Sequence, residues 1–205
     1  MSAWILATPF TWDGKTDSEA ISAIRQIGTN AVPPLLVMLH SKNSWLRDWL
    51  IQRNYRVPGM KLFFISDFER CHRAMQALRV LGHSALPAIP ELTNLFFGPD
   101  YTGGLTHPRE EAAQVLAQIR PEGTEILVKA TANKDEWVQR CAIEALRENP
   151  PAEPAVISAL GRCLKAENPD IRRFAAEALG HLHASPLTAV PALRESLADP
   201  SPLVR

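Results

Sequence analysis

Residues 137–146 read WVQRCAIEAL, and residues 170–179 read DIRRFAAEAL. Laid over one another, they pair Val138 with Ile171, Arg140 with Arg173, Ala142 with Ala175, Glu144 with Glu177 and Leu146 with Leu179. In each copy the apolar residues recur at helical spacing: Val138, Cys141, Ala142, Ala145 and Leu146 in one, Ile171, Ala175, Ala178, Leu179 and Leu182 in the other. Alanine on such a face lets a neighbouring helix come close. A unit this short cannot bury its apolar face alone, so its stable form is a stack of copies.

The same phrase runs backwards through the chain with falling fidelity. Ala112 of EEAAQVLA takes the place of Ala142 in the preceding copy, Ala74 takes it in the copy before that, and Ala20 in the earliest. A second helix is expected after each copy, starting with AVPPLLVML from Ala31, AIPELTNLF from Ala88, TEILVKA from Thr124, AVISALGRCL from Ala155 and AVPALRESL from Ala189. Val190, Leu193 and Leu197 share one face of the last and are expected to be buried.

The punctuation agrees with this pattern. Pro33, Pro90, Pro108, Pro154, Pro169 and Pro191 fall at expected helix starts, where proline removes no internal hydrogen bond. Gly28, Gly82 and Gly180 are expected to end first helices as left-handed caps, while Asp135, Asp170 and Asp199 are expected in the loops before them.

These residues together resemble the HEAT-repeat, armadillo-like family. The resemblance rests on an Asp–x–x–Val–Arg-like entry, an Ala–x–x–Ala–Leu–Gly exit and an Ala–Val–Pro–x–Leu second helix, and it covers residues 18–205. One departure stands out: Gln139 occupies the position where the arginine is usual, whereas Arg172 keeps it. The resemblance implies an all-α, right-handed superhelical solenoid of about five helix pairs, forming a single domain over residues 1–205. Residues 1–17 are expected to be an irregular leading segment. Val204 and Arg205 stand as far beyond Ile171 and Arg172 as Ile171 stands beyond Val138, where a further first helix would begin.

The unusually long gap between Ala20 and Ala74 marks an insertion at residues 42–65 after the first pair. Ser44 can cap a short helix there, with Trp45, Trp49 and Arg53 on one face, before Pro58 and Gly59 break it. Eight basic residues against three acidic ones lie between Lys42 and Arg79, in a chain whose formal net charge is zero. Trp45, Arg47, Trp49, Arg53, Arg56 and Lys61 are therefore the candidate partner-binding residues: cations for phosphate with aromatic platforms for bases. The plainer account is that the tryptophans cover the end of the core and the arginines form its solvated rim.

Catalytic chemistry finds no footing in the sequence. Cys71 precedes His72, but helical neighbours point about 100° apart. Cys71, Cys141 and Cys163 each fall in an apolar helical pattern and read as small buried hydrophobes. His181 and His183 have no acidic or thiol ligand near in sequence, so no metal is expected, nor any cofactor. The adjacent His–Glu pairs of HEAT-like iron hydroxylases do not occur.

With 46% hydrophobic and 21% charged residues the chain is globular rather than disordered. No signal peptide or transmembrane stretch is evident, which makes the cytoplasm the default expectation. The function expected is a non-enzymatic protein–protein interaction scaffold, its partner held on the concave surface lined by second helices. The alternative is nucleic-acid binding through residues 42–65, in a DNA-repair setting such as that of alkylpurine DNA glycosylases. A third reading, a lyase or chaperone module holding a chromophore or cofactor, follows from the use of HEAT-like repeats in pigment attachment. The oligomeric state is not fixed by the sequence.

Overall fold

The computed structural model describes residues 16–40, 67–99, 108–149, 153–182 and 186–205. Among the described residues the regular structure is all helical, with ten α-helices. They are α1 (Thr16–Ile27), α2 (Val32–His40), α3 (Asp67–Leu81), α4 (Ile89–Phe97), α5 (Pro108–Leu116), α6 (Glu122–Ala130), α7 (Glu136–Glu148), α8 (Pro154–Cys163), α9 (Pro169–His181) and α10 (Pro186–Ser196). Odd-numbered helices are the first members of the expected pairs and even-numbered ones the second. The helix α1 begins at Thr16, just inside the segment expected to be irregular.

The helices fall into two compact units, α1–α3 and α4–α10. In the smaller one α3 packs against both α1 and α2. Gly28 (φ +60°) and Gly82 (φ +52°) follow α1 and α3 in the left-handed conformation expected of them, and each opens a 3₁₀ turn, Gly28–Ala31 and Gly82–Ala88. The two turns pack together. A β-carbon at Gly28 would meet nothing within 4 Å, so it is the backbone angle that calls for glycine there.

In the larger unit α5, α7 and α9 pack side by side as one layer, and α8 packs on α6 and α10 as a second. Each second helix also packs on the first helix that follows it: α4 on α5, α6 on α7, α8 on α9. This nearest-neighbour packing is that of an α-solenoid. Val138, Cys141, Ala142, Ala145 and Leu146 on α7 are all buried, as are Ile171, Ala175, Ala178, Leu179 and Leu182 on or beside α9. Leu127, Val156, Ala159 and Leu160 are buried on the second helices. Each large side chain buried in this way contributes about 2 kcal/mol.

Close approach is tightest where α6 starts. Gly123 donates its N–H to Ile119 O at 2.7 Å, and a β-carbon there would lie 2.0 Å from Leu116 O. Only glycine fits a backbone passing so near another.

Four local expectations differ from the structure. Gly180 does not cap α9; it lies within the helix, which runs on to His181 and is closed by Leu182. Asp170 sits in the first turn of α9, and the cap is Asn168, whose side chain accepts from Asp170 N at 2.8 Å. Pro191 lies inside α10, because the helix starts at Pro186; Pro186 suits a first turn, whereas Pro191 gives up an intrahelical hydrogen bond. Val190 and Leu197 are 54% and 67% exposed. Helical α10 packs on α8 and α9, and these two residues stand on a face that neither covers. Asp135, by contrast, caps α7 as expected, accepting from Trp137 N at 3.0 Å.

Candidate interaction surface

Arg109, Gln139 and Arg172 occupy the same position in three successive first helices, at the spacing already seen for Ala112 and Ala142 and for Val138 and Ile171. Each turns back onto a carbonyl of the loop before its own helix. Arg109 Nε donates to Gly98 O at 2.8 Å, Gln139 Nε2 to Thr131 O at 2.7 Å, and Arg172 Nη1 to Ala166 O at 2.9 Å and Glu167 O at 2.8 Å. The two arginines also reach forward to the entry loop of the next repeat. Arg109 Nη1 meets Asp135 Oδ2 at 2.9 Å, and Arg172 grips Asp199 with two parallel bonds of 2.8 and 3.0 Å. Hydrogen bonding from Arg172 holds the Asp199 carboxyl below its ordinary range.

Gln139 is too short for that second task, and no carboxylate waits for it. Asp135 and Asp199 each accept from the backbone N–H two places on, and the residue that does so in the intervening repeat is Asn168, an uncharged amide whose Nδ2 donates to Glu136 Oε2 at 2.8 Å. One inter-repeat rung is therefore missing at both ends. The displaced Arg140 lies instead over the Trp137 ring, 3.9 Å from its centroid, and 5.9 Å from that of Phe174. Arg173 covers Phe174 at 4.1 Å and also binds Glu177 at 2.7 Å, which Arg147 meets from α7 at 3.0 Å. Beside them Glu144 is pushed above its ordinary value, chiefly by burial, with Arg140 acting the other way. The guanidiniums of this outer face are largely engaged with their own neighbours.

The second-helix layer is different. Glu125 and Lys129 on α6, Ser158 and Arg162 on α8, and Arg194 and Glu195 on α10 are exposed, and their side chains make no hydrogen bond or ion pair among the described residues. Glu125 and Ser158, like Lys129 and Arg162, are separated by the same step as Val138 and Ile171, so the positions recur helix after helix. They are fixed on rigid, packed helices and left open to solvent.

Residues 171–199 match the family model described as PBS lyase HEAT-like repeat. That segment is similar to a HEAT-like repeat. The match runs through α9 and α10 and ends on Asp199, the carboxylate gripped by Arg172. No curated protein matches the chain.

The sequence-derived partner-binding residues Trp45, Arg47, Trp49, Arg53, Arg56 and Lys61 lie outside the described residues. Cys141 and Cys163 are buried, and burial is the main reason both thiols are raised, Cys141 to about 12; Cys71 is only half-buried. Among the described residues no group of three or more His, Cys, Asp or Glu side chains could hold a metal ion, and no helix is long and apolar enough to cross a membrane. The Arg109–Asp135 and Arg172–Asp199 rungs went unforeseen in the sequence, although the register of Arg109 with Gln139 and Arg172 was there to be read.

Proposed function

We propose that the protein is a non-catalytic interaction scaffold that holds a partner protein on the concave side of its stack, along the second helices. One observation carries this reading: the first-helix layer pairs its arginines internally, while the second-helix layer presents Lys129, Ser158, Arg162 and Arg194 on rigid helices with no internal partner among the described residues. Preorganised side chains of this kind bind with little ordering cost. HEAT-like repeats serve as scaffolds of this type, which supports the same conclusion.

The test is an affinity pull-down from source lysate, divided into nuclease-treated and untreated halves. Proteins retained after nuclease treatment are the expected result. Recovery of nucleic acid, with proteins lost on treatment, would overturn the reading in favour of a phosphate-binding surface. A coloured or fluorescent molecule that copurifies would point instead to a module that holds a pigment.

A further inference from the structure

No further inference is drawn: the strongest candidate, the unpartnered apolar face of α10 that carries exposed Val190 and Leu197, supports nothing because nothing in the structure shows what covers it.

Discussion

Replacing Gly123 by alanine sets helix propensity against close packing, and the two predict opposite signs. Propensity alone favours alanine inside a helix by about 1 kcal/mol. At Gly123, however, the new β-carbon would stand 2.0 Å from Leu116 O and 2.8 Å from its carbonyl carbon, both backbone atoms that cannot rotate away. Restoring an ordinary contact requires the start of α6 and the end of α5 to separate by about 1.4 Å or more, in an interior packed like an organic crystal. That movement would pull on Leu116, Ile119 and Leu127, all fully buried, and would stretch the Gly123 N–H to Ile119 O bond.

Overpacking of this kind costs about 1–3 kcal/mol, so after the propensity gain Gly123→Ala is expected to destabilise the protein by about 1 kcal/mol net. For a chain of this size that lowers the melting temperature by about 2–4 °C. Gly161 and Gly180 are the controls: both lie inside helices, α8 and α9, and a β-carbon at either meets nothing within 4 Å. Alanine at each should stabilise by about 0.5–1 kcal/mol. The assay is urea denaturation followed by circular dichroism, with unchanged slopes required for the comparison. A Gly123→Ala variant at least as stable as the parent would refute the close-approach argument. Loss of stability in Gly180→Ala would refute its placement within α9.

Two carboxylates should act oppositely on the pH dependence of stability. Asp199 is held below its ordinary 3.8, so its contribution is present above that pH and fades as pH falls through its depressed value; Asp199→Asn should flatten the acid limb of a denaturation series. Glu144 is raised above its ordinary 4.5, so it stabilises when protonated and the benefit is lost as pH rises through its folded value; Glu144→Gln should help at neutral pH and change little below 4.5. Thiol chemistry offers a separate check. Iodoacetamide at mildly alkaline pH should label half-buried Cys71 while Cys141 and Cys163 react only on unfolding, since both are buried with raised thiols; mass spectrometry of native and urea-treated protein reads this directly.

What the sequence determined by itself was the paired helices of the described residues and the inward faces of the best-matched copies. A helix brings residues three and four apart onto one side whatever surrounds it, so the recurrence of Val138, Cys141, Ala142 and Leu146, and of Ile171, Ala175 and Leu179, already marked the core. Gly28 and Gly82 were legible for a similar reason, each lying at the end of a periodic run.

Only tertiary structure decided the remainder, because it depends on what stands nearby in space. Val190 and Leu197 carry the same helical spacing as buried residues, yet no helix covers their side of α10 among the described residues. Gly180 closes the same Ala–Leu–Gly phrase that the pattern reads as an exit, but α9 continues past it. Gly123 looks like an ordinary weak helix former until Leu116 O is found against it. Arg172 and Lys165 are both cations in sequence. One is bound to the distant carboxylate of Asp199 and the other stands exposed in the turn after α8, a difference that their place in the fold decides.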